Sequence, residues 1–355
     1  MLKIIQNWFE RYFSDEEAVI VFLLLVISTF LILTLGALVA PVIASIVIAY
    51  ILQGLVVKLQ RLGFRHIYAV LTVFAAFLGV TLATVLVLLP MVATQVSSLF
   101  KELPNMLSNA QSLIKLLPQQ YPEIISEEAV ASIYSQVTNE VTSFTQWVLS
   151  FSLSSIPTVI AIMIYAVLVP IMVFFFLKDK DQLLASFSSI LPTERRLMKE
   201  IWRESNVQFA NYIRGKVLEI VIVGVATYLA FVWVGLEYSV LLAILVGLSV
   251  VIPYIGAAVV TIPVALIGLF QFGWGSDFIW LMVIYGVIQG LDGNVLVPLL
   301  FSEVVNLHPV IIITSVLLFG GFWGIWGVFF AIPLATLIKA IFAAWPRISR
   351  PSAQI

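Results

Sequence analysis

Apolar stretches about as long as a membrane is thick recur along this chain, and a helix of roughly 20 such residues has its stable place in hydrocarbon. Residues 19–39, 42–57, 67–89, 157–177 and 217–235 are five of them, with a break at Pro41 between the first two and an end at Pro90 for the third. Three more are irregular. The run 240–270 is too long for a simple span and is interrupted at Pro253-Tyr254-Ile255-Gly256. The run 278–300 holds a polar cluster, and 309–338 is overlong with Gly320, Gly321, Gly324 and Gly327 in its middle. Hydrophobic residues make up 62% of the 355 and charged ones 10%, more apolar surface than a water-soluble globule can bury. The expected fold is therefore all-α: a polytopic integral membrane protein of about eight transmembrane helices. The two overlong runs read equally as kinked spans or as re-entrant hairpins, which would leave six full spans.

Charge sets the expected orientation. Lys58, Arg61 and Arg65 lie between the second and third spans, eight Lys/Arg lie in 178–216, and Lys339, Arg347 and Arg350 lie near the end. The stretch 91–156 has only Lys101 and Lys115 against five glutamates. By the positive-inside rule both termini and 178–216 face the cytoplasm of a bacterial inner membrane, and 91–156 lies outside. The expected organisation is an interfacial N-terminus (1–18), spans one to three (19–90), an extracytoplasmic helical insertion (91–156), span four (157–177), a cytoplasmic basic loop (178–216), a transport core with broken helices (217–338) and a cytoplasmic tail (339–355). Within the insertion, Leu99, Leu103, Met106, Leu107, Ala110, Leu113, Ile114 and Leu117 follow helical spacing. A second helix starts near Ser126, and its Val130, Ile133, Val137, Val141, Phe144, Val148 and Phe151 form a coiled-coil-like seam. That seam reads as packing within one subunit or as the contact of a homo-oligomer.

Several functions are excluded. The chain has no cysteine, so thiol chemistry and disulfides are absent. There is no phosphate-binding G-x-x-x-x-G-K-[ST] loop, no H-E-x-x-H helix and no G-x-S-x-G elbow. A net charge of −1 without a basic stripe argues against nucleic acid. The expectation is a protein that is not an enzyme and carries no cofactor or metal, with the lipid bilayer and a small-molecule or ion substrate as partners.

The most informative segment is Gln289-Gly290-Leu291-Asp292-Gly293-Asn294-Val295-Leu296-Val297-Pro298. An ionisable residue at membrane depth faces a cavity or a partner, because lipid does not solvate it. Gln289 and Asp292 are three apart and share a helix face, while Pro298 cannot donate to the Asn294 carbonyl. A freed carbonyl beside a carboxylate suits a cation or proton site, so Asp292, Gln289 and Asn294 are candidate substrate- or ion-binding residues. Pro253 frees the Ser249 carbonyl in the same way, which adds Ser249 to the set. Pro253, Gly256, Pro298, Gly320, Gly321 and Gly324 are candidate helix-break or gating positions. Gly286 and Gly290, like Gly320 and Gly324, carry the spacing of close helix packing. Glu219 reads as snorkelling or pairing with Lys216, and His308 before Pro309 as a helix-entry residue.

A set of motifs in order along the chain resembles the autoinducer-2 exporter family, also called the permease M family, of bacterial inner-membrane proteins. They are Phe174-Phe175-Phe176-Leu177-Lys178-Asp179, Tyr212-Ile213-Arg214-Gly215, Ile252-Pro253-Tyr254-Ile255-Gly256, Gln289…Asp292…Asn294…Pro298, Leu307-His308-Pro309, Gly320-Gly321 and Ala331-Ile332-Pro333. The resemblance implies about eight transmembrane helices and export of small molecules, some relatives being described as autoinducer-2 exporters and others as sodium or lithium/proton antiporters. The functional expectation is a secondary transporter of a small polar solute or a monovalent cation, coupled to a proton or sodium gradient. A membrane scaffold and a passive channel are the competing readings.

Overall fold

The computed structural model describes residues 16–120, 156–191, 195–253, 255–301 and 307–345, with isolated positions between 132 and 143. The described helices are α1 (Glu16–Arg61), α2 (His66–Ala83), α3 (Leu89–Gln120), α4 (Ile156–Lys178), α5 (Lys180–Ile190), α6 (Arg196–Val234), α7 (Ser239–Ser249), α8 (Ile255–Phe272), α9 (Ser276–Leu291), α10 (Val297–Phe301) and α11 (Pro309–Ala344), with π-helical segments between α2 and α3 and between α9 and α10, and no strand among the described residues. Among the described residues, six helical stretches are long and apolar enough to cross a membrane, and three shorter apolar ones accompany them. The chain is a polytopic all-α membrane protein, as its hydropathy pattern requires. The seam helix after Ser126, the residues before Glu16 and the tail after Trp345 lie outside the described residues.

The first two spans are the two legs of α1. Glu17 accepts a hydrogen bond from the Met198 amide at 2.8 Å, and the Tyr50 hydroxyl donates to the Asn206 carbonyl at 2.8 Å. Straight helix would part residues 17 and 50 by roughly 50 Å, whereas 198 and 206 are about 12 Å apart along α6. The helix must fold back, and it does so at Leu35 (φ −113°, ψ 15°), not at Pro41. Pro41 sits within the helix, and the buried Ser45 hydroxyl donates to its carbonyl at 2.6 Å.

Two other prolines widen their helices instead of ending them. Pro90 and Pro298 lack the N–H that would bond residue i−4, and their rings crowd that carbonyl. The backbone answers with one π turn just ahead of each, Thr84–Leu88 and Asp292–Leu296. Leu89 N–H then reaches Thr84 O, and Val297 N–H reaches Asp292 O, five residues back in both cases. The expected stop at Pro90 is therefore absent, and helix continues from α2 through α3 to Gln120. The basic stretch 178–216 is helical too, formed by α5 and the first turns of α6.

Both overlong runs are hairpins, which resolves the choice left open by the sequence. In the first, α7 runs antiparallel to α6. Tyr238 precedes it at the far end of α6, Gly247 touches Gly224 and the Ile220 carbonyl, and Val250 reaches Lys216. The chain then turns at 250–253 and α8 returns, so that Gln271 donates to Gly235 O at 2.8 Å and accepts from Glu237 N at 2.7 Å. In the second, α11 reverses at Gly324 (φ 59°, ψ −137°), a conformation glycine alone adopts without strain. Gly327 lies against the Phe319 carbonyl, and Gly320 against Val328. Eight residues of continuous helix would separate 319 from 327 by about 12 Å.

The two hairpins approach α6 from opposite ends. Ala344 and Trp345 pack with Leu197 and Ile201 near its basic start, while the Phe329 carbonyl accepts from the Tyr212 hydroxyl at 3.3 Å. Gly324 is five residues beyond Phe329, roughly 7 Å further along, at the level of Lys216–Glu219. Helix α9 with α10 descends beside α6, pairing Tyr285 with Phe231 and Phe301 with Tyr212. Span and hairpin followed by span and hairpin of opposite direction is the pattern of an inverted-topology repeat.

Candidate functional site

One stretch of α6 gathers both hairpins and the polar span. Tyr212 holds the second hairpin through Phe329 and stacks on Phe301 with ring centroids 5.7 Å apart. Gly215 has no side chain because the Phe301 ring fills that space. Arg214, on another side, lies over Gly54 of α1, its guanidinium 3.1 Å from where a methyl on Gly54 would sit. The motif Tyr212-Ile213-Arg214-Gly215 thus has a contact for each of these three side-chain positions.

One turn further, Lys216 and Glu219 face the core and are 4% and 2% exposed. The Lys216 Nζ lies 2.6 Å from Glu219 Oε2, 3.0 Å from the Val250 carbonyl oxygen at the first hairpin tip, and 5.1 Å from the centre of the Phe301 ring. No other polar group among the described residues bonds that Glu219 oxygen. Of the two readings for Glu219, snorkelling or pairing with Lys216, the structure has the pairing, inside the protein, where the hairpin tip supplies a further buried acceptor for the lysine. The i, i+3 spacing of opposite charges in an apolar helix was the signal for this pair. What the spacing did not reveal was the third partner, which comes from 34 residues further along.

The π turn that Asp292 opens packs against α6, the helix that carries the pair. The Asp292 carboxylate is half-buried, and its Oδ1 is sealed from solvent with no hydrogen-bond partner among the described residues. Gln289, one turn earlier, has its Nε2 in the same condition. Asp292 opens the π turn, so its carbonyl is the one that takes the five-residue bond from Val297. The π turn forced by Pro298 is what carries Asp292 and Asn294 out of regular helical register.

The other candidates are placed differently. Asn294 is exposed and turned back along its own helix, donating to Gly290 O at 2.8 Å. The Ser249 hydroxyl donates to Val246 O at 2.7 Å, and its carbonyl is not free, since the Ile252 amide takes it at 3.0 Å in a tighter turn. Pro253 lies in that turn, and Gly256 packs directly on the Ser249 carbonyl. Gly321 faces open space. Among the described residues nothing lies within 4 Å of where a methyl on Gly286 or Gly290 would sit, so their spacing marks no helix contact among them.

A cavity of about 1290 Å³ runs along α6 from Ile201 past Ser205 and Ile213, between the two legs of α1 and the second hairpin's Trp323 and Phe330. Its wall is mostly apolar. The Ser205 hydroxyl and the Trp323 indole N–H are buried there without partners among the described residues.

Outside the spans, α3 crosses the entrance of the first hairpin. Gln95 accepts from the Leu241 amide at 2.8 Å, and the Tyr238 hydroxyl donates to Glu102 at 3.2 Å. Burial, with the Glu102 carboxylate beside it, pushes the Tyr238 hydroxyl up to about 12.

Residues 19–347 match the family model described as AI-2E family transporter. A protein of Escherichia coli (strain K12) named as a permease, PerM, is 46% identical over 346 residues, covering 98% of both chains. A Bacillus subtilis (strain 168) protein named as a transport protein, YueF, is 28% identical over 83% of this chain and 81% of its own. A third, named as a transport protein of Synechocystis, is 25% identical over 96% of this chain and 88% of its own.

Proposed function

Because the chain belongs to the AI-2E transporter family and is thereby a membrane transporter, we propose that it is a secondary transporter whose coupling group is Asp292. It moves a small polar solute or a monovalent cation across the bacterial inner membrane, driven by a proton or sodium gradient, with both termini in the cytoplasm. The observation that carries this reading is the state of Asp292. Its inner oxygen has no hydrogen-bond partner among the described residues, and it sits near a neutralised Lys216–Glu219 pair, at the level reached by two hairpins from opposite ends. A carboxylate so placed takes up a proton or a cation and gives it back as its surroundings change. Gln289, with its own buried unpartnered amide, is the neighbour suited to hold the solute. The cavity along α6 offers a path to this level from the basic end. Opposed hairpins whose tips meet one stretch of helix suit alternating access, in which one repeat rocks against the other.

The test is flux in proteoliposomes, across candidate polar solutes and monovalent cations, with an imposed pH or sodium gradient. Wild-type protein is expected to show gradient-driven accumulation. Asp292→Asn is expected to lower it at least about tenfold, the loss of roughly 1.4 kcal/mol at the transition state. Equal flux in the variant, with the same pH and sodium dependence, would remove Asp292 from the mechanism. Downhill flux indifferent to both gradients would make the protein a channel.

A further inference from the structure

We propose that Lys216 is a tethered cation: its ammonium fills a position at the first hairpin tip that is built to coordinate a monovalent cation, so the native protein needs no sodium or potassium there. An ammonium has three N–H donors and no acceptor. Here three partners surround it: the Glu219 carboxylate at 2.6 Å, the Val250 carbonyl at 3.0 Å and the face of Phe301 at 5.1 Å. A carboxylate, a backbone carbonyl from a broken helix and an aromatic face are groups that hold a monovalent cation inside a membrane.

The geometry of the tip explains why a cation belongs there at all. Val250 directly follows the last residue of α7, where the helix dipole presents its negative end; the Leu248 and Ser249 carbonyls are taken by the Val251 and Ile252 amides, and the next carbonyls, Val250's first, are those beyond the last turn. At membrane depth those carbonyls need a donor or a cation, because lipid offers neither. Lys216 supplies both from α6, and Phe301, admitted by Gly215, covers the third side. The cation therefore pins the hairpin tip to the long span and to α10 at once. This inference rests on the Lys216 contacts alone and does not depend on the role proposed for Asp292.

The experiment compares wild-type protein, Lys216→Met and the double variant Lys216→Met/Glu219→Gln, each purified in detergent. Thermal unfolding midpoints are read in sodium, potassium or methylammonium chloride, against N-methyl-D-glucamine chloride at the same ionic strength. Lys216→Met is expected to unfold below the wild type and to gain about 2 °C or more, saturably, from at least one of the small cations. The wild type, with its site occupied, and the double variant, with its carboxylate removed, are expected to lack this added gain and to keep only the shift that a cation at Asp292 gives all three proteins. A single variant as unresponsive as the double one would overturn the proposal, as would an equal saturable gain in the wild type. Lys216→Gln, whose amide keeps a donor for the Val250 carbonyl, replaces the methionine variant if that does not fold. Failure of both to fold in every one of these salts counts against the proposal, since no free cation then stands in for the ammonium.

Discussion

The two halves of the core, α6 to α8 and α9 to α11, are built alike and charged differently. Each is a span followed by a hairpin. The first half answers its own charges: Lys216 meets Glu219 on the span and Val250 on the hairpin. The second half brings Asp292 to the same level, where its Oδ1 has no hydrogen-bond partner among the described residues. Under the proposed function this is a division of labour between two acids at one depth: the paired carboxylate fixes a hairpin, and Asp292 is the one proposed to exchange what it binds.

The strongest way to break this comparison is to make the same chemical change in both halves. Glu219→Gln leaves the buried Lys216 ammonium without its counter-charge, and stranding one member of a buried pair costs about 3–5 kcal/mol. The variant is expected to lose that much stability by denaturant unfolding in detergent, or to fail to accumulate. Asp292→Asn removes no such partner, so its stability is expected within about 1 kcal/mol of wild type while coupled flux collapses. If the two variants lose equal stability, Asp292 is structural and the division disappears.

A second comparison concerns the two tips. Gly256 packs on the Ser249 carbonyl, and Gly327 on the Phe319 carbonyl, in both cases backbone that cannot swing away. A methyl at either place has to push the arms of its hairpin apart. Gly256→Ala and Gly327→Ala are each expected to cost about 1–3 kcal/mol, the range for overpacking a filled site. Gly321→Ala, facing open space, is the control expected to change little. A tolerated Gly327→Ala would show that α11 does not reverse at Gly324.

How much of this was legible in the sequence follows from what each feature depends on. The membrane fold was legible, because roughly 20 apolar residues in a row mean the same thing in any context. The hairpins were half legible. Pro253-Tyr254-Ile255-Gly256 and the glycines from Gly320 to Gly327 marked the breaks, but kink and reversal share one local composition. Only the contacts of Gln271 with Gly235 and of Gly327 with Phe319 separate them. Pro41 and Pro90 misled for a related reason. Proline removes one hydrogen bond, and a helix held by its neighbours continues past that loss, at Pro90 by way of a π turn. Asp292 stood out by rarity alone. Lys216 and Glu219 were visible as a pair, yet their place at a hairpin tip was not, because Val250 is remote in sequence.

The smallest effect expected is at the entrances of the hairpins, which are capped by different means. The second starts at Pro309, and His308 just before it accepts from the Val310 amide at 3.3 Å, as its position ahead of a proline suggests. That cap is local. The first hairpin begins at Tyr238, a left-handed residue whose own side chain makes no cap bond. Its orphan Leu241 amide is served from outside, by Gln95 of α3. Gln95→Ala should therefore cost about 1 kcal/mol, the usual worth of a lost helix cap. Hydrogen–deuterium exchange should show the change as faster exchange over the first turn of α7, with the first turn of α11 unaltered. Slower or unchanged exchange at Val240 and Leu241 would mean that α3 only rests on the first hairpin. The long helix reaching Gln120 would then be free to move without disturbing the core.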